Sequence, residues 1–181
     1  MRLLKHHEQK LLKKVNFFNW SPENEREIAV VKKYYIQNRE DYSKYNRLCG
    51  YVTKLTSLLR KLKPEDPFRI EMTEHLLNKL FNMGLLEKKK SLVNTEAIPV
   101  SSFCRRRLPV IMVKLKLASD LKEAITYIEQ GHIRVGPKVI TDPGFHVTRQ
   151  MEDFVTWTHS SAIKKKVLKY NEKLDDYDLI Q

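Results

Sequence analysis

The sequence predicts an α+β protein, mostly helical, in which a helical N-terminal annex packs with a small module made of a helix pair and a short antiparallel sheet. Three observations predict it. Between residues 105 and 157, apolar residues recur twice at helical spacing and then switch to alternation. Residues 21 to 100 carry helix starts and stops and read as uniformly helical. Gly84 and Gly131 stand where helical runs end, as residues that accept the left-handed conformation a helix stop needs.

In order, residues 1 to 20 form a basic arm. Leu4, Leu11, Leu12 and Val15 make a ragged apolar side among Lys5, Lys10, Lys13 and Lys14, and Phe17, Phe18 and Trp20 close the segment. Such an arm suits RNA binding, entry into a larger complex, or folding back on the body. His6 and His7 lack partners at ligand spacing and read as a solvated pair. Ser21-Pro22-Glu23-Asn24-Glu25 is a helix start, with a hydroxyl cap, proline in the first turn and acids against the positive end of the helix dipole. Tyr45, Leu48, Val52, Leu55, Leu59 and Leu62 alternate steps of three and four, which predicts a long core helix. Arg39, Glu40, Asp41 and Lys44 read as its solvated face. Asp66-Pro67 and Gly84 bracket a further helix with the stripe Phe68, Met72, Leu76 and Leu80. Lys88-Lys89-Lys90 begins a linker into Pro99, where the annex, 21–100, gives way to the module, 101–158.

In the module, Ser101 and Ser102 cap a short turn carrying Phe103 and Arg105-Arg106-Arg107. Pro109 has no N–H and belongs in a first turn, so the next helix starts at about Leu108 and holds Leu108, Ile111, Met112 and Leu115 on one side. That places the arginine triplet at a helix N-terminus. Leu121, Ala124, Ile125 and Ile128 repeat the spacing between an Asp120 cap and the Gly131 stop. His132 to Val135 then alternates, with Ile133 and Val135 inward, and Gly136-Pro137 turns the chain. Phe154, Val155 and Trp157 read as the closing strand, with Trp157 packing on the helix pair. Residues 159–181 form a last helix, carrying Lys164-Lys165-Lys166 with Ile163, Val167 and Tyr170, and an acidic tail at 175–178.

Charge sharpens the functional reading. Thirty-four Lys and Arg against 22 Asp and Glu give +12, and a pI near 9.6 is that of a nucleic-acid-binding domain, although anionic membranes and acidic partners also attract such charge. Arg105, Arg106, Arg107, Lys114, Lys116, Lys122, Arg134, Lys138 and Arg149 all fall within the module and are the candidate RNA-binding residues, arginine gripping phosphate with two parallel hydrogen bonds. No apolar run reaches membrane-spanning length, and the start lacks the apolar core of a secretion signal. Cys49 and Cys104 stand apart, as reduced thiols do. The chain has no GxGxxG, GxxxxGKS, HExxH or GxSxG, so no catalytic residue, metal, cofactor or small-molecule substrate is expected.

LASDLKEAITYIEQGHIRVGPKVITDPGFHVT, Leu117 to Thr148, resembles the alpha-L RNA-binding motif of the ribosomal small-subunit protein S-four family. It differs in having Gly136-Pro137 where Asn-Gly is common and Ser119-Asp120 where Ser or Thr before Arg is common. MRLLKHHEQKLLKKVNFFNW at the start, YYIQNREDYSKYNRLCG from Tyr34, SSFCRRRLPVIMVKLK from Ser101 and MEDFVTWTHSSAIKKKVLKYNEKLDDYDL from Met151 resemble the branch of that family found as S-four-like subunits of the U3 small nucleolar ribonucleoprotein. The resemblance implies a nucleolar assembly factor of the small-subunit processome. It would bind U3 small nucleolar RNA and promote its pairing with precursor ribosomal RNA for 18S maturation, beside an acidic phosphoprotein scaffold and a Brix-domain subunit. A permanent ribosomal protein of the same family and a protein-interaction adapter are the alternatives.

Overall fold

The structure is a computed structural model and describes residues 2–14, 25–89 and 91–173. The arm holds α1 (His6–Lys14), the annex holds α2 (Glu25–Tyr34), α3 (Arg39–Lys61), α4 (Pro67–Asn82) and α5 (Val93–Glu96), and α6 (Val100–Cys104) joins it to the module. The module follows with α7 (Leu108–Lys114), α8 (Leu121–Glu129), β1 (Ile133–Val135), β2 (Lys138–Val139), α9 (Arg149–Glu152) and β3 (Val155–Trp157), and α10 (Ala162–Tyr170) comes last. The α+β, mostly helical class is as the sequence predicts. The Ser21-Pro22 signal, Val15, Phe17, Phe18, Trp20, Lys90 and the acidic tail lie outside the described residues, although the helix that signal announces is present as α2.

Helix α3 is long, as its periodicity requires, and Leu59, with Tyr45, Val52 and Leu62 half-buried, faces in as expected, but the buried side is rotated from the predicted stripe. Cys49, Thr56 and Leu59 are buried and Val52 is half-buried, whereas Leu48 and Leu55 are 42% and 44% exposed. The cause is α5 and α6, too short to show as periodic runs. They lie against α3, where the Thr56 and Thr95 hydroxyls meet at 2.9 Å in full burial and the Phe103 ring stacks on Tyr45 at 5.8 Å. Helix α4 starts as expected: the Asp66 carboxylate accepts from the Phe68 N–H at 3.0 Å and Pro67 occupies the first position. Its stripe is tilted, with Leu77 and Leu80 buried and Phe68 exposed. Leu55, Leu58, Leu62, Phe68, Met72 and Leu76 therefore line an open apolar groove of about 610 Å³ between α3 and α4.

The module core joins Leu108, Ile111 and Met112 of α7, Ala124 and Ile128 of α8, and Ile133, Val135, Val147 and Val155. Leu115 lies past the end of α7 and is exposed, because the chain reverses through Lys116 at φ +58° and the Leu117 N–H donates to the Met112 carbonyl. Gly131 ends α8 at φ +74°. Asp120 occupies the cap position of α8 without a side-chain capping bond. Instead the Glu123 carboxylate reaches back to the Ser119 N–H at 2.9 Å and hydroxyl at 2.6 Å and also accepts from the Tyr127 hydroxyl, and these donors hold it down to about 2. The sheet runs β2-β1-β3, antiparallel throughout, with Ile133 opposite Trp157 and Val135 opposite Val155. Trp157 packs edge-on to Tyr127 at 5.6 Å, as expected of a core residue, while Phe154 stays exposed just before its strand.

Two glycines separate steric need from tolerance. Gly84 sits at φ +77°, and a Cβ there would come within 2.7 Å of the Arg106 Nε; Gly50 lies inside α3 with open space around it. Gly84→Ala is expected to lower stability by about 1–3 kcal/mol, and Gly50→Ala to raise it by about 0.5–1 kcal/mol, both read from denaturant unfolding.

Candidate nucleic-acid interface

The arginine triplet links α6 to α7. Arg105 ends the first helix and Arg107 occupies the cap position of the second, where it forms a single β-bridge with His146. The Val147 N–H donates to the Arg106 carbonyl at 2.8 Å and the Leu108 N–H to the Phe145 carbonyl at 2.9 Å, so the link is clamped as an extra strand against residues 145–147. A clamped extended link sends consecutive side chains different ways. Arg105 is exposed, with its Nε donating to the Tyr34 hydroxyl at 3.4 Å. Arg106 is only 8% exposed and runs beneath Gly84, donating from Nε to the Val147 carbonyl at 2.9 Å and from Nη1 to Glu152 at 2.8 Å. Arg107, 2% exposed, donates from Nε to the Pro143 carbonyl at 3.4 Å and faces Asp41 at 3.6 Å. The expectation of three phosphate-facing arginines is therefore corrected for two of them: Arg106 and Arg107 face the joint between annex and module.

Other groups complete that joint. The His146 Nε2 lies 3.0 Å from the Met83 carbonyl, which requires that nitrogen to carry the proton. Burial pushes the imidazole below its ordinary range; the contact with Met83 opposes the shift and the Arg106 charge adds to it. Arg149 donates to the Leu86 carbonyl at 2.7 Å, and Gln37 to Glu129 at 2.8 Å. Glu152 receives Lys114 at 2.6 Å as well as Arg106. The Lys114 hydrogen bond is the chief cause holding its carboxyl below the usual range, with burial opposing and Arg106 assisting. Glu152 is a residue that nothing in the sequence singles out; Asp41 reads there as part of a solvated face and Gly84 as a helix stop, and the structure gives both a further part, Asp41 facing Arg107 and Gly84 leaving room for Arg106.

Six of the nine candidates remain as exposed or half-exposed cations with no acidic ion-pair partner among the described residues: Arg105, Lys116, Lys122, Arg134, Lys138 and Arg149. Lys114 is exposed but its ammonium is held by Glu152. Lys122 lies over the Tyr35 ring at 5.4 Å, and Arg134 donates to the Thr156 hydroxyl at 3.2 Å. These cations do not form one ridge. The register pairs Arg134 with Val139 and Thr156 but pairs Lys138 with Val135, so the two bases project from opposite faces of the sheet. Among the described residues no cluster of His, Cys, Asp and Glu could hold a metal ion, and no helix is long and apolar enough to cross a membrane. Cys49 and Cys104 are free and buried, and burial pushes both thiols up, Cys104 to about 11.

Two family models meet at this joint. The ribosomal protein S4/S9 N-terminal domain matches residues 3–105 and the S4 domain matches 106–153. Among curated proteins, the U3 small nucleolar ribonucleoprotein protein IMP3 of Saccharomyces cerevisiae is 52% identical over 180 residues, covering 98% of each chain. The chain belongs to this S4-related family. The protein of the same name from Mus musculus is 51% identical over 181 residues, 99% of this chain and 98% of its own. The small ribosomal subunit protein uS4 of Picrophilus torridus is 32% identical over 138 residues, 76% of this chain and 74% of its own, so the chain also shares much of the ribosomal protein's length.

The joint generates two expectations. Arg106→Glu places a carboxylate against Glu152 and should cost about 3–5 kcal/mol or prevent folding, whereas Arg105→Glu should leave the unfolding midpoint nearly unchanged. Acid should loosen the joint. Both His146 and Glu152 have lowered folded pKa values, so their stabilisation is complete above their unfolded values and fades as pH falls, first below about 6.5 and then below about 4.5. Unfolding midpoints measured against pH should show both steps, and Glu152→Gln should flatten the lower one.

Proposed function

We propose that the protein is a non-catalytic RNA-binding assembly factor of the U3 small nucleolar ribonucleoprotein, acting in the nucleolus in the small-subunit processome. The supporting observation is end-to-end similarity to relatives named for that particle, on a chain whose S4 domain carries exposed cations without an acidic partner among the described residues. In this reading Arg105, Lys116, Lys122, Arg134, Lys138 and Arg149 receive backbone phosphates of U3 small nucleolar RNA. Phosphate contacts fix position and register without reading bases, so the preference is for the shape of a stem and its adjoining loop. Neutralising phosphates on one strand lowers the repulsion felt by a second, which is the physical step needed to speed pairing with precursor ribosomal RNA toward 18S maturation. No bond is made or broken, and no catalytic side chain is required.

An adapter role is supported separately by the groove between α3 and α4. It is lined almost wholly by apolar side chains and bordered by Lys61 and Lys79. A second copy of a chain at +12 would bring like charge to that border, and α1 carries Lys10, Lys13 and Lys14 beside its leucines. An amphipathic helix with acidic flanks, from the acidic phosphoprotein scaffold of the particle, fits both the apolar floor and the basic border. The Brix-domain subunit then joins through the shared scaffold.

If on the order of six phosphates are neutralised, the logarithm of affinity should fall with the logarithm of salt at a slope of about −5 for duplex and −4 for single strands. Arg134→Glu with Lys138→Glu should make that slope shallower by about 2 units and slow annealing of a U3 hinge oligonucleotide to its ribosomal complement, at unchanged folded stability. Unchanged binding in that folded variant would refute the RNA assignment. Leu55→Glu with Leu58→Glu should abolish capture of the scaffold while leaving RNA affinity intact.

A further inference from the structure

Phe81, near the C-terminal end of α4, carries two cations. The Arg149 guanidinium carbon lies 4.3 Å from the ring centroid and the Lys89 ammonium 4.7 Å from the same point. They stand no farther apart than those two distances together, and both side chains are exposed. They come from different parts of the chain, Lys89 from the segment after α4 and Arg149 from the module across the joint. Neither has an acidic ion-pair partner among the described residues. The carboxylate nearest to Arg149 along α9, Glu152, is already taken by Lys114 at 2.6 Å and Arg106 at 2.8 Å.

The ring attracts each cation through its quadrupole, which offsets part of their mutual repulsion. Arg149 is further fixed by its bond from Nη2 to the Leu86 carbonyl at 2.7 Å, which orients the planar guanidinium while leaving its other donors for a ligand. Lys88, the exposed base that precedes Lys89 in the chain, lines with Arg105 a concavity of about 330 Å³ that also includes Leu86, Glu87, Asn94 and Ser102. Like charges gathered over one ring, with Glu152 already engaged by Lys114 and Arg106, leave a positive potential that a bridging anion relieves.

The geometry points to a phosphate-binding subsite at the joint, formed by Lys89 and Arg149 on the Phe81 platform, through which a bound RNA strand passes from module to annex. This inference rests on the RNA-binding reading and adds annex residues to it. Lys88 and Lys89 then serve as ligands instead of a linker, and the footprint on RNA is longer than the S4 domain alone would give.

Lys89 is the residue to test, because its recorded contact is with the ring and its loss removes no hydrogen bond of the joint. The probe is a fluorescein-labelled RNA hairpin with a single-stranded tail, titrated across a salt series. Lys89→Gln should make the logarithmic salt slope shallower by about 0.7–0.9 and weaken binding several-fold, and Lys89→Arg should restore both. Lys63→Gln, which removes an exposed lysine from the turn between α3 and α4, should change neither. If Lys89→Gln matches Lys63→Gln while Arg134→Glu with Lys138→Glu still weakens binding, RNA binding stands and the subsite falls. If the module reversal is silent as well, both readings fall together.

Discussion

Two guanidiniums withdrawn from water govern how the annex and the module stand against each other. Arg106 and Arg107 would be costly to bury in an apolar core, since each carries five donors that solvent must release. The fold meets that cost with carbonyls and carboxylates from both sides: Val147, Pro143 and Glu152 from the module, and Asp41 from α3. The supply is incomplete, because the Arg106 Nη2 and Arg107 Nη1 are buried without a hydrogen-bond partner among the described residues. A joint of this kind adds less stability than apolar packing of the same area, but it is selective. In this docking each guanidinium meets partners from the module or from α3, and the absence of a side chain at Gly84 allows Arg106 to lie where it does. Clusters on either side depend on the same link, since Phe103 belongs to the annex core and Leu108, just past the triplet, to the module core.

Net charge and usable charge are therefore different quantities in this protein. The +12 balance counts Arg106, Arg107 and Lys114 equally with Lys116, yet the first two are structural and the third is tied to Glu152. What remains for an anionic partner is a smaller set, spread over both faces of the sheet and extending onto the joint. Such a distribution suits a long flexible polyanion that can follow a curved path better than a rigid helix lying in one straight groove. The apolar groove between α3 and α4 lies apart from this charged set.

How much of this was legible in the sequence depended on whether the deciding interaction was local. The α8 run and its Gly131 stop, the Asp66-Pro67 start of α4 and the Gly136-Pro137 turn are set by neighbours within a few residues, and each was readable. The buried side of α3 was not. Leu48 and Leu55 have the stronger apolar character, but Thr56 is inside because Thr95, thirty-nine positions away, meets its hydroxyl. The site was legible as a region and not as a residue set, since three identical side chains in a row give no sign of which will be exposed. That was decided by the bridge from Arg107 to His146, a pairing with no periodic trace.

The three-stranded sheet has one further consequence. Its strands are only two or three residues long, and of the two outer ones β2 consists of Lys138 and Val139 and β3 of Val155–Trp157. Such a sheet offers almost no free ladder of N–H and C=O groups to another chain, and a lysine on its rim discourages stacking through charge. This brevity works as a safeguard against ribbon-like self-association, independently of any ligand the same lysine meets.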